Sequence, residues 1–266
     1  MSWLYSLEMK LAIFLLMTAL AGYGQSGAEP PKYEVASIKP NAGDDFRYAF
    51  QIEPGGRLAA TGITLRRLMM TAYNVQGFRI LGGPDWVSSR QWDVQAKADR
   101  AASPGQIRPM LRALLENRFQ LRCHSEKRQL LVYELSVDLK GSKVQTVKDG
   151  EAKADVRVGA GLIQLTKATA ATFASQLQYA LGRPVIDKTS LSGEFDFALK
   201  WTPEPGEDGG PATQGLPAGA IDQPASTPGG PSIFTAIREQ LGLRLESGRD
   251  LVEVIVIDAV QMPTAN

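Results

Sequence analysis

Apolar and polar residues along this chain recur with two periods, and the switches between them mark its elements. Residues 90–97 (Arg-Gln-Trp-Asp-Val-Gln-Ala-Lys) and 193–200 (Gly-Glu-Phe-Asp-Phe-Ala-Leu-Lys) alternate with period 2, the pattern of a half-buried strand. Leu65, Leu68, Met69 and Ala72 fall at helical spacing, as do Phe173, Leu177 and Ala180. Each of these helices follows a short strand, residues 56–61 and 161–166, and a threonine placed to cap it, Thr64 and Thr169. Residues 78–81 and 184–187 predict a strand after the helix. A second helix carries Met110, Leu111, Leu114 and Leu115 in one case and Ile233, Ile237 and Leu241 in the other. A hairpin is expected to close each series: residues 119–122 with 131–138, and residues 241–244 with 252–258.

The order β-β-α-β-β-α-β-β is thus written twice. It predicts an α+β fold of two tandem units with mainly antiparallel sheets, spanning residues 29–139 and 155–262 and arising by internal duplication. Residues 140–154 are polar and read as a linker. Residues 203–231 hold seven prolines and seven glycines and no aromatic, Lys or Arg. Such a stretch buries too little surface to offset its ordering entropy, so it reads as a disordered insertion inside the second unit. At the N-terminus, Lys10 precedes the apolar run 11–20, and small residues follow. That arrangement predicts a signal peptide over residues 1–28, too short for a comfortable membrane span, and a secreted or periplasmic bacterial protein with no span after cleavage. An uncleaved N-terminal anchor is the competing reading.

Composition narrows the chemistry. Lys+Arg total 29 and Asp+Glu 28 for a net charge of +1, without the basic excess of a nucleic-acid binder. One Cys and one His in 266 residues leave no internal disulfide and no two-histidine metal site. No metal or cofactor is expected.

Several longer motifs carry a resemblance. They are residues 33–41 (Tyr-Glu-Val-Ala-Ser-Ile-Lys-Pro-Asn), 82–86 (Gly-Gly-Pro-Asp-Trp), 182–189 (Gly-Arg-Pro-Val-Ile-Asp-Lys-Thr), 193–197 and 241–247. With them the chain resembles an uncharacterised family of exported proteins, a domain of unknown function expanded in soil acidobacteria. In some relatives a similar domain is fused to sensor peptidases of the BlaR/MecR type. The strand–helix–strand core is more loosely similar to the short N-terminal domains of secretins and TonB receptors. The resemblance implies no catalytic residues, because the family has none assigned.

Four residues are candidates for a site, each with a plainer reading beside it. Asp93 and Asp196 occupy matching strand positions; two such carboxylates across a pseudo-symmetric interface suit glycoside hydrolysis, and equally suit the polar faces of two strands. Trp86, near Trp92, offers an aromatic platform for a sugar or peptide, or a packing residue. His124 belongs to an outward strand face beside Arg122, with Cys123 turned inward as a small core residue. Arg66, Arg67, Arg108, Arg112 and Arg118 read as solvated helix faces, and Asp85 and Asp187 as turn caps. Asp44-Asp45 lacks the acid-rich loop of a calcium site. The chain therefore reads as an exported, non-enzymatic binding or interaction module for an unknown envelope protein or small ligand. The alternative is a carboxylate-dependent hydrolase acting on an envelope polysaccharide or peptide.

Overall fold

Thr64 and Thr169 stand where extended chain turns into helix, and each hydroxyl takes up a backbone N–H that the first helical turn leaves unpaired. In the computed structural model, which describes residues 31–43, 48–147, 153–203 and 230–264, Thr64 accepts from the amide of Arg67 and Thr169 from that of Thr172. The expected signal peptide, Asp44-Asp45 and residues 204–229 of the expected insertion lie outside the described residues.

The first sheet is built from β1 (Tyr33–Pro40), β2 (Ala49–Glu53), β3 (Arg57–Thr64) and β5 (Gln91–Ala98), ordered β1-β5-β3-β2 and antiparallel throughout. Its apolar positions, Leu58, Ile63, Trp92 and Val94, are buried under α1 (Leu65–Tyr73) and α3 (Pro104–Phe119). α1 contributes Leu65, Leu68 and Met69; α3 contributes Leu111, Leu115 and Phe119. The third sheet holds β7 (Gln145–Thr146), β8 (Asp155–Gly159), β9 (Leu162–Ala168) and β11 (Phe195–Lys200), ordered β7-β11-β9-β8 and also antiparallel. Its core joins α4 (Ala170–Leu181) and α5 (Ile233–Leu241). Here Phe173 lies flat on Phe197 with ring centroids 4.5 Å apart. β7 falls inside the stretch expected to be a linker, and Val144 packs against the same core.

Between these layers the structure departs from the expected hairpins. Arg122–Val137 is one strand, β6, and Leu243–Ala259 is one strand, β12. They pair antiparallel with each other along nearly their whole length, from Leu243 opposite Val137 to Ala259 opposite Arg122. The hydrogen bonds expected inside each unit are made between the two instead. The outer edges are reciprocal. β4 (Ile80–Gly82) runs parallel to β12, Ile80 opposite Ile255, and β10 (Val185–Asp187) runs parallel to β6, Val185 opposite Tyr133. The resulting order is β10-β6-β12-β4. The protein is α+β with mainly antiparallel sheets, its two cores joined by one ladder. Leu121 and Ile257 enter the first core, Leu135 and Leu243 the second.

Both long strands leave a helix through a left-handed residue: Gln120 (φ 47) before β6 and Gly242 (φ 62) before β12. Gln120 is therefore a helix cap and not the strand residue its sequence suggested. At Gly242 a Cβ would run into the carbonyl oxygen of Gly141 and the amide of Lys143. Gly242→Ala is expected to cost more than the roughly 1–2 kcal/mol of a left-handed alanine, because backbone and not a flexible side chain blocks the space. Urea denaturation of the purified variant measures this; an unchanged midpoint would contradict it.

Candidate functional site

The two carboxylates singled out by the sequence turn out to be tied to backbone. On β5, Asp93 Oδ1 accepts from Asn41 Nδ2 at 2.7 Å and from the amide of Gly62 at 3.0 Å. Gly62 has φ +64 where β3 slips register against β5, between Ala60 and Ile63. On β11, Asp196 Oδ1 accepts from the amide of Lys167 at 2.9 Å. Lys167, at φ +57, sits where β9 and β11 slip between Phe195 and Phe197. A bulge leaves an extra N–H without a ladder partner, and each carboxylate supplies that partner. The two acids sit in different sheets and each holds its own bulge.

Trp86 opens the short helix α2 (Trp86–Ser89) and is half-buried on the first core. Its ring stacks on Phe119 at 6.5 Å and meets Trp92 edge-on at 6.4 Å, so much of its surface is taken up by packing. Asp85 precedes it as the N-cap residue but makes no side-chain capping bond, whereas Asp187 Oδ1 accepts from both the amide and the hydroxyl of Thr189.

His124 is exposed on β6, its Nδ1 2.9 Å from Asp258 Oδ1 and its Nε2 3.8 Å from Glu126 Oε2. Asp258 thereby raises the imidazole pKa above its ordinary 6.5. A histidine–aspartate pair of this kind activates a nucleophile only if one lies within reach of the free nitrogen. The neighbours Cys123 and Ser125 alternate to the opposite face of the strand. Cys123 donates to Tyr73 Oη at 3.0 Å, and burial pushes its thiol pKa up, away from the reactive thiolate. Ser125 donates to Glu253 Oε1 at 2.7 Å. Among the described residues no group of three or more His, Cys, Asp or Glu is arranged to hold a metal ion.

What the sequence did not bring together is a cleft of about 540 Å³ between α1 and the C-terminal end of α4. α1 and its cap supply Thr64, Arg66, Arg67 and Met70. The turn over Gly77–Arg79 adds Gly77 and Phe78, with Gln76 before it, while Ser88 and Gln91 form the rim nearest β5. Gln178, Tyr179 and Gly182 close the cleft from α4. These residues are far apart in sequence and follow no motif, so no local signal marks them.

The arginines also differ from expectation. The sequence predicts solvated helix faces for them, but most of them tie backbone. Arg66 donates through Nη1 to the carbonyls of Gly77 (3.0 Å) and Ile80 (2.7 Å) and through Nε to Ser88 Oγ (2.7 Å). Arg112 reaches the carbonyl of Ala72 at 2.8 Å and Arg118 that of Ala36 at 2.9 Å. Arg108 bonds Asn74 Oδ1 at 2.8 Å, and Arg67 lies over the ring of Tyr48 at 4.1 Å. Helix ends and loops leave carbonyls unpaired, and the guanidinium fork satisfies them where no amide can reach.

Asp93→Ala is expected to lower stability by about 1–3 kcal/mol, since it strands a partly buried amide; Asp196→Ala, at an exposed bulge, should cost less. Chemical denaturation of both variants tests the order. The raised pKa of His124 sets a second expectation. A group whose pKa is higher folded than unfolded stabilises the fold fully below its unfolded value, here about 6.5, and loses that contribution as pH rises through the folded value. The His124 ring protons should therefore titrate above 6.5 by NMR. His124→Gln should remove the fall in melting temperature across that window.

The geometry can be set beside known proteins. No curated protein and no solved structure matches the chain. The family model described as Protein of unknown function (DUF3738) matches residues 66–260, which takes in α1 from its second residue, the cleft apart from Thr64, the central ladder and the second core. On that match the chain belongs to the DUF3738 family of proteins of unknown function.

Proposed function

We propose that this protein is an exported, non-enzymatic binding module, formed from two related α+β units, whose ligand site is the cleft between α1 and α4. The cleft is the observation that carries the reading. Its volume falls within the range of small-molecule sites, and a few polar side chains converge over apolar surface from Met70 and Phe78. The strand orders β1-β5-β3-β2 and β7-β11-β9-β8 support a common origin for the two units, as does the reciprocal pairing of β4 and β10. A site lying between two such units gains ligand contacts from both.

The engagement of Asp93 and Asp196 in separate bulges favours binding over carboxylate-dependent hydrolysis, because an acid that holds backbone in place is poorly disposed to shuttle protons. The charge and apolar pattern of residues 1–28 supports export, and among the described residues no helix is long and apolar enough to cross a membrane. The resemblance to domains carried by sensor peptidases fits recognition of something in the cell envelope.

The test is retention of a small molecule. Gln76 lines the cleft in extended backbone (φ −74) and gives no side-chain hydrogen bond there, so Gln76→Trp fills the space with little strain on the fold. Purified protein incubated with bacterial envelope extract and examined by native mass spectrometry should carry an added mass that the variant lacks, with melting temperatures within about 2 °C of each other. Equal retention by both proteins, or none by either, would remove the cleft as the site. Hydrolysis of envelope material by the parent, abolished by Asp93→Asn, would put the enzyme in place of the binder.

A further inference from the structure

The charge of the cleft is one-sided. Arg66 and Arg67 line it, and among the described residues none that line it is acidic. Its remaining polar groups are neutral: the amides of Gln76, Gln91 and Gln178 and the hydroxyls of Thr64, Ser88 and Tyr179. The partners of Arg66 among the described residues are likewise neutral, two carbonyls and a serine hydroxyl. Behind the wall, Arg79 Nη2 donates to Gln178 Oε1 at 3.2 Å, and Gln178 is only 7% exposed. The Nε of Arg79 is buried with no hydrogen-bond partner. Glu253 offsets part of the charge of Arg79, but Arg66 has no such carboxylate among its partners in the described residues.

Burial lowers the pKa of both guanidinium groups, the mark of cations that have lost water without gaining an equal number of anions. Cations in that condition are favourable partners for an incoming anion, because part of the cost of their desolvation has already been met in the fold. The guanidinium of Arg66 is also pre-organised. Its three hydrogen bonds fix its plane, so little rotamer entropy is lost when a ligand arrives. Beside these arginines, Met70 on the same helix and Phe78 in the adjoining turn present apolar surface.

On the reading that the cleft is a ligand site, we propose that it selects small molecules bearing a carboxylate or phosphate group, with the anion set toward Arg66 and Arg67 and an apolar body against Met70 and Phe78. The neutral amides and hydroxyls around the rim then fix orientation through hydrogen bonds.

Three probes of similar size separate the charge from the shape: phenylacetate, phenyl phosphate and the neutral phenylacetamide. Each is titrated into the full chain at low ionic strength and followed by amide chemical shifts. The anions should move the resonances of α1, the Gly77–Arg79 turn and the end of α4, and should bind about tenfold more tightly than the amide, the difference between a charge-assisted and a neutral hydrogen bond. Whichever anion binds more tightly identifies the carboxylate or the phosphate as the natural group. Raising the salt should weaken both anions and leave the amide unchanged. Arg66→Gln should abolish the preference. Because Arg66 also ties two carbonyls, Arg67→Gln serves as the second variant, and it should reduce anion affinity in a protein whose probe-free amide spectrum is still that of the folded chain. Amide binding as tight as the anions would overturn anion selection while leaving the cleft as a site. Shifts confined to other faces, or no shift with any probe, would overturn it together with the site.

Discussion

The antiparallel pairing of β6 with β12 is the constraint from which both cores hang. A strand of sixteen residues and one of seventeen are held in a single register, and each end of the ladder delivers side chains to a different core. Leu121 and Ile257 reach the layer under α1 and α3, while Leu135 and Leu243 reach the layer under α5. Because successive strand residues alternate faces, a slip of one residue would turn each set away from its core. The register is therefore fixed from both ends at once. Its middle, where Gln129 faces Leu251, is covered on one face only, where Val132, Val252 and Val254 are buried. On the other face Leu131 and Leu251 stay 54% and 63% exposed.

Charged residues play a parallel role nearer the surface. Asp93 and Asp196 close bulges, and Arg66, Arg112 and Arg118 close carbonyls. These side chains complete backbone hydrogen bonding where secondary structure breaks off. That use commits Asp93, Arg66, Arg112 and Arg118 of the first half to backbone. It also gives the cleft its character: Arg66 is held rigid for a structural reason and lends its charge to the space beside it.

Much of this architecture is legible in the sequence. The helical spacing of Leu65, Leu68, Met69 and Ala72, the capping threonines, and the alternation around Trp92 and Phe197 all lead to elements at the expected places. The long strands are not legible as such, for a physical reason. Alternation reports burial of one face and not strand conformation itself. Residues 124–129 and 246–250 lie where no core covers them, so they carry polar side chains and imitate a turn. The left-handed Lys167 and Gln120 have no glycine to announce them. The partners of the arginines are carbonyls, which every residue carries and no sequence pattern distinguishes. The cleft eludes sequence for a related reason: its walls come from segments far apart in the chain that meet only in the fold.

The exchange of edge strands has a consequence for how the chain reaches its native state. Ile80 finds its partner at Ile255, and Val185 turns back to Tyr133, so the central sheet is made almost wholly of contacts distant in sequence. A chain growing from its N-terminus can assemble the first sheet and its helices as soon as α3 is complete. It must then carry β4 and all of β6 with unpaired edges until its last residues emerge. Contacts of this kind pay a large loop-closure entropy before they return any stability, which slows folding and lengthens the life of aggregation-prone edges. The same wiring that locks the two halves together makes the first half, on its own, an unfinished object.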